Sequence, residues 1–168
     1  MLEKNEKYKI IDDYLSIDEY QDCWDFVRNV ATYSAGEKDH HESDFIGMVC
    51  ELDLNHYKTF AIFPPSIGGS RLNRLYINYY SQREISAFHI DSDDPDAYTA
   101  LYYPCPTYDL DEGGETQLII DDEIVGVRSK CNRLLVFRST IVHRATPFKS
   151  HQRWTVALKY TNHPDTGW

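Results

Sequence analysis

The sequence predicts a mainly β fold with supporting helices: a double-stranded β-helix (jelly roll) of eight strands behind an N-terminal helical support. Three observations predict it. Short runs rich in β-branched and aromatic residues follow one another from residue 74 to 161, with Pro, Gly, Asp and Ser clusters between them. One amphipathic helical pattern with a defined start precedes them. Strand and helix never alternate as a parallel sheet would require. A chain of 168 residues is the size of one domain and can bury a core without disulfide or metal staples. Residues 1–70 are expected to form the support and 74–161 the roll.

Taken in order, Tyr8 to Leu15 (YKIIDDYL) mixes β-branched and aromatic residues and reads as a strand. Ser16 and Glu19 then form a capping box, in which each side chain can satisfy the other's backbone N–H. The helix that follows is expected to run to about Ala31, because Ile17, Tyr20, Trp24, Val27 and Ala31 recur at the spacing of one apolar stripe. Gly36 to Asp44 is polar and acidic, hence a loop. From Phe45 to Ile67 neither period dominates. Eight strands are then expected at Arg74–Tyr80, Ile85–Ile90, Ala97–Tyr103, Glu115–Ile120, Glu123–Val127, Arg133–Arg138, Ile141–Thr146 and Arg153–Thr161.

Composition narrows the function classes. The hydrophobic fraction of 42% and charged fraction of 26% are those of a folded globular chain. With 27 acidic against 17 basic residues, the net charge of −10 argues against a partner bound through phosphate neutralisation, so nucleic acid is not expected. No apolar run reaches the ~18–20 residues needed to span a bilayer, and the charged start, Met1 to Lys7, has no signal-peptide core. A cytoplasmic location is therefore expected. Cys23, Cys50, Cys105 and Cys131 show no close pairing and read as reduced, packed thiols.

The chemistry is carried by His89 and Asp91 within ISAFHID. Residues two apart in a strand share a face, so an imidazole and a carboxylate can meet at one point. A second histidine, His143, follows in the penultimate expected strand, and Arg153 opens the last one. Two histidines and a carboxylate form the facial triad of non-haem Fe(II) oxygenases, with positions left open for a cosubstrate and O₂. The guanidinium of Arg153 matches a carboxylate bidentately, and Thr155 shares its face. His40, His41 and His151 sit in polar stretches and are expected to be solvated, and His163, near the C-terminus, has no identifiable partner in the sequence.

The ordered set of H-x-D, distal His and an Arg ten residues later resembles the Fe(II)/2-oxoglutarate-dependent dioxygenases, in particular their prolyl 4-hydroxylase-like branch. Further similarity lies in the lead-in Ile10 to Ser16, the Gly113-Gly114-Glu115-Thr116 turn, and the run Asn132 to Phe137 before the distal histidine. The resemblance implies Fe(II) held by His89, Asp91 and His143. It implies 2-oxoglutarate held by Arg153 and Thr155, with Tyr79 and Tyr103 beside it. O₂ would be consumed, and a peptidyl, prolyl or small-molecule substrate hydroxylated, with succinate and CO₂ as coproducts. Halogenating relatives replace the carboxylate ligand, so an intact Asp91 favours hydroxylation. Two features depart from the branch: Gln82-Arg83 occupies the stretch where a Y-x-x-G turn is usual, and Asn78-Tyr79-Tyr80 fits the N-x-Y spacing of AlkB-like base demethylases. Those enzymes end on two arginines six apart, whereas Arg144 and Arg153 are nine apart. Base demethylation, which would draw on Arg71, Arg74 and Arg83, and a non-catalytic metal-binding or sensor module remain the alternatives. Substrate selection is expected to lie in Gly36–Ser70, Ser81–Glu84 and Pro104–Glu112.

Overall fold

The computed structural model describes residues 6–35, 47–52, 62–82 and 84–163. Among the described residues there are eleven strands: β1 (Tyr8–Ile11), β2 (Ser34–Ala35), β3 (Met48–Leu52), β4 (Ser66–Ile67), β5 (Ser70–Tyr80), β6 (Tyr98–Tyr103), β7 (Thr116–Ile120), β8 (Glu123–Val127), β9 (Arg133–Arg138), β10 (His143–Ala145) and β11 (Arg153–Thr161). All pairings are antiparallel. The main sheet runs β1-β9-β6-β11-β5-β3-β2, with β4 also on β5, and the small sheet runs β10-β7-β8. The central strands are buried on both faces. β6, with the sequence YTALYY, has all six residues buried, which is why it reads as a continuous apolar run rather than an alternating one.

One face of the main sheet is covered by the helical segment. Helix α1 (Ile17–Asp25) starts on the expected capping box, with the Ser16 N–H donating to Glu19 Oε2 at 2.9 Å. It continues as a single π-helical turn, Phe26–Val30, closed where Ala31 N–H donates to the Phe26 carbonyl at 2.9 Å. This wider turn keeps Val27 fully buried and turns Val30 outward. Trp24 meets Trp154 edge-on at 5.5 Å, and Cys23 and Val27 pack on Leu75, Ile77, Val156 and Leu158. Asn132 fastens the lead-in to the sheet. Its side chain accepts from Leu15 N–H at 2.9 Å and from the Tyr102 hydroxyl at 3.0 Å, and donates to the Leu15 carbonyl at 2.8 Å.

The other face of the main sheet looks toward the small sheet. Leu101, Tyr103, Leu118, Leu135, Phe137 and Ala157 fill the space between them. The β7–β8 hairpin closes on Asp121 and Asp122, whose φ of 53° and 65° place both in the left-handed region, as a two-residue hairpin turn that matches the twist of its strands requires.

The outcome differs from the sequence expectation in three elements. Ile85–Ile90 is not a regular strand. It runs beside β10 as a ragged fourth member of the small sheet, paired at His89 and His143. Near its start Ser86 Oγ accepts the Ala145 N–H at 2.9 Å, so a side chain replaces a rung of the backbone ladder. The expected strand Ile141–Thr146 is confined to His143–Ala145. The first 70 residues supply one helical segment but also four strands of the main sheet, two of them (β3 and β4) from the stretch whose period was mixed. Most of Gly36–Ser70 falls outside the described residues, as do His40, His41 and Arg83. No helix among the described residues is long and apolar enough to cross a membrane. The four cysteines are unpaired, and burial pushes the Cys23 thiol up to about 12.

Candidate metal centre

His89 and His143 are positioned by their own backbones. His89 N–H donates to the His143 carbonyl at 3.0 Å, and His143 N–H donates to the His89 carbonyl at 2.9 Å. Residues paired in this way project to the same side, and the two imidazole centroids lie 4.5 Å apart. Each Nδ1 stands against a carbonyl two residues back: Ala87 O at 3.1 Å for His89, and Ile141 O at 2.9 Å for His143. A carbonyl only accepts, so Nδ1 carries the proton in both rings and Nε2 presents its lone pair.

Asp91 completes the cluster. Its N–H donates to the Ser139 carbonyl at 3.0 Å. This brings Oδ1 to 3.7 Å from His89 Nε2 and Oδ2 to 3.4 Å from His143 Nε2. One potential ligand atom from each residue lies within 4.8 Å of the other two. Burial pushes His143 down to about 4, against the pull of Asp91, so its imidazole is neutral at pH 7. Burial would raise Asp91, but the adjacent Lys159 ammonium, the strongest opposing influence, overrides it and holds the carboxyl below the usual range. Two imidazoles and one ionised carboxylate are the donor set of an open-sided Fe(II) site.

A second cluster surrounds Arg153, which is 2% exposed. Its Nε donates to the Gly114 carbonyl at 3.1 Å and its Nη2 to Thr116 Oγ1 at 2.8 Å. The Tyr103 hydroxyl shares that Thr116 oxygen at 2.7 Å. The Tyr80 and Tyr103 rings lie 6.0 and 5.7 Å from the guanidinium carbon. Among the described residues no carboxylate is ion-paired with Arg153. Beside it, Thr155 Oγ1 is a buried hydroxyl oxygen without a hydrogen-bond partner. A dry cation and an orphaned hydroxyl on one strand face are what a ligand carboxylate would satisfy.

The structure brings His89, Asp91 and His143 together, and likewise Arg153, Thr155 and Tyr103. Tyr79 is a correction. Registered opposite Trp154 rather than Arg153, it packs on Trp154 at 5.2 Å and Tyr33 at 5.9 Å, on the helix side of the sheet. Its neighbour Tyr80 is registered with Arg153 and faces the site. Four further residues escaped the sequence reading: Thr116 at the arginine, and Thr99, Ser139 and Lys159 at the carboxylate. Strand alternation held a signal for two of them, since Thr99 shares a face with Tyr103, and Lys159 with Arg153 and Thr155. Lys159 also stands six residues after Arg153, a separation that counting arginines alone passes over.

No family model and no curated protein matches the sequence. Solved structures do match. A prolyl hydroxylase from Trichoplax adhaerens, in complex with a hypoxia inducible factor oxygen degradation domain peptide, has a TM-score of 0.75 at 18% identity, over 94% of this chain and 84% of that one. A prolyl-4-hydroxylase from Pseudomonas putida has a TM-score of 0.69 at 13% identity, over 95% and 94%. HygX from Streptomyces hygroscopicus, bound to nickel, 2-oxoglutarate and hygromycin B, has a TM-score of 0.69 at 11% identity, over 95% and 84%. The chain therefore has the jelly-roll fold of the 2-oxoglutarate- and Fe(II)-dependent oxygenases.

Proposed function

We propose that this chain is an Fe(II)- and 2-oxoglutarate-dependent dioxygenase that hydroxylates a prolyl or other amino-acid side chain, free or in a peptide. The observation that carries the reading is the pairing of two clusters inside one roll. One is a His-Asp-His set with both Nε2 lone pairs free; the other is a buried arginine with which no carboxylate among the described residues is ion-paired. His89, Asp91 and His143 hold the metal. Arg153 and Thr155 bind the far carboxylate of 2-oxoglutarate, and Thr116 and Tyr103 fix the guanidinium plane. Phe137, edge-on to His143 at 4.7 Å, and the apolar layer behind it shield the His143 side of the cluster from water. Bound iron and 2-oxoglutarate together supply the oxidation of the substrate by O₂, with succinate and CO₂ as coproducts.

Of the similar structures, one holds a peptide and another hygromycin B, which supports testing both peptides and small molecules as substrates. A base demethylase is the second reading. It is favoured by Asn78 and Tyr80 sharing the Arg153 face and by the Arg153–Lys159 spacing. Against it, Arg74, one of the arginines that would build a basic rim, is ion-paired with Glu51. The deciding experiment incubates purified protein with Fe(II), 2-oxoglutarate and separate pools of peptides, amino acids and alkylated oligonucleotides. Iron-dependent succinate formation and a peptide or amino-acid product heavier by one oxygen atom are expected, and both vanish in His143→Ala. Turnover confined to the oligonucleotide pool establishes the second reading. Failure to bind Fe(II) or Mn(II) removes both.

A further inference from the structure

Asp91 is loaded on one oxygen only. Thr99 Oγ1 donates to Oδ2 at 2.6 Å, and Lys159 Nζ is ion-paired to the same Oδ2. Thr99 is itself held by Ser139 Oγ at 2.9 Å, and Lys159 Nζ lies 3.5 Å from the Thr99 hydroxyl. A carboxylate oxygen has two lone-pair positions, so these two donors saturate Oδ2. Among the described residues Oδ1 accepts no hydrogen bond and faces His89 Nε2 at 3.7 Å. The lysine stem is fixed as well: Nζ lies 5.8 Å from the centre of the Tyr76 ring, which Arg74 covers from 4.4 Å.

A largely buried ammonium beside a divalent-cation site repels the metal that the site is built to hold. Its presence needs a compensating function. A carboxylate can bind a cation through one oxygen or through both. Binding through both would occupy a position that the 2-oxo acid chelate or O₂ requires.

We propose that Lys159 and Thr99 are positioning residues that hold Oδ2 away from the metal and confine Asp91 to one-oxygen ligation through Oδ1. The proposal rests on the iron and 2-oxoglutarate reading above, whatever the substrate. Its signature is a change of opposite sign in two affinities. Without the ammonium the metal binds at least as tightly, because repulsion is removed and a second ligand oxygen is released. The cosubstrate then binds more weakly, because an open position has been taken.

The test uses calorimetric titration of Mn(II), and then of 2-oxoglutarate into the Mn(II)-loaded protein. It compares the parent chain with Lys159→Met, Lys159→Arg and Thr99→Val. Lys159→Met is expected to keep or tighten Mn(II) binding and to weaken 2-oxoglutarate about tenfold, the low end for groups that orient a metal ligand. Thr99→Val shifts both constants the same way, and Lys159→Arg restores them. If Lys159→Met does not fold, Thr99→Val, which keeps the ammonium and the side-chain volume, decides by the same two constants. Weaker binding of both ligands, or no change in 2-oxoglutarate affinity, overturns the proposal. A parent chain that binds neither ligand overturns the dioxygenase reading itself.

Discussion

Among the described residues, Arg153 is a cation in the dry interior with no anion against it, and Thr155 Oγ1 beside it lacks a partner. Leaving such a hydroxyl unsatisfied costs about 1–3 kcal/mol, a cost that a ligand carboxylate would offset. Thr155→Val should therefore leave the melting temperature of the free protein unchanged or raise it. The same change should weaken 2-oxoglutarate by about 1 kcal/mol or more, read by calorimetry on metal-loaded protein. A variant that loses stability without losing cosubstrate affinity would mark Thr155 as packing only. At this scale the sequence was legible where residue type and order matter: His89, Asp91, His143 and Arg153 stand out by both, while their roles follow only from the family resemblance. Orientation was not legible. Tyr79 and Tyr80 are adjacent, and only the pairing of Arg153 with Tyr80 decides which one faces inward. Thr99 and Lys159 were hidden for another reason. A threonine in a strand reads as β propensity and a lysine near a strand end reads as solvated, so only the fold shows that both reach Asp91.

The elements meet at two polar joints that periodicity does not reveal. Asn132, at a φ of 56°, makes three side-chain hydrogen bonds that tie Leu15 and Tyr102 together. Asn132→Ala leaves those partners unpaired and loses a residue type suited to the left-handed conformation. It should lower stability by about 2–3 kcal/mol in denaturant unfolding, whereas a loss below ~0.5 kcal/mol would mean that the joint is not needed. Asp12, just after β1, accepts two hydrogen bonds from Arg133, at 2.6 and 3.0 Å, and one from Lys130 at 3.1 Å. The Arg133 guanidinium, with Lys130, lowers its carboxyl from 3.8 to about 2 against a smaller effect of burial. The folded value lies below the unfolded one, so the stabilisation is present above pH 3.8 and is lost as pH falls from 3.8 toward about 2. The pair is exposed and its worth small. In acid titrations Asp12→Asn should therefore flatten the stability curve of the parent slightly within that window alone. The helix start was legible because a capping box is a local signal, whereas the ragged run 85–90 was not. Its missing rung is filled by the Ser86 hydroxyl, which no hydrophobic pattern records.

The whole molecule is a two-layer roll with an apolar layer on each face of its main sheet, and the candidate chemistry sits between the sheets. The fold was legible because eight short runs with turn chemistry between them leave few architectures open. The strand at Tyr8–Ile11 was legible as well, but the extension of the main sheet by β2–β4 was not, because strands of two to five residues leave too little sequence to show a period. The net charge of −10 weighs against a polyanionic substrate, and the Arg74–Glu51 pair gives the same sign of argument near the site. The central claim is that the His-Asp-His cluster and Arg153 hold one metal and one 2-oxoglutarate together. It is tested most directly by anaerobic titration of Fe(II) followed by 2-oxoglutarate, watching the visible absorption of the chelate. One equivalent of each ligand should bind; the absorption should be absent in His143→Ala and recovered in Arg153→Met only at much higher 2-oxoglutarate. Binding of 2-oxoglutarate that ignores the metal, or Fe(II) binding that survives loss of His143 unchanged, would contradict it.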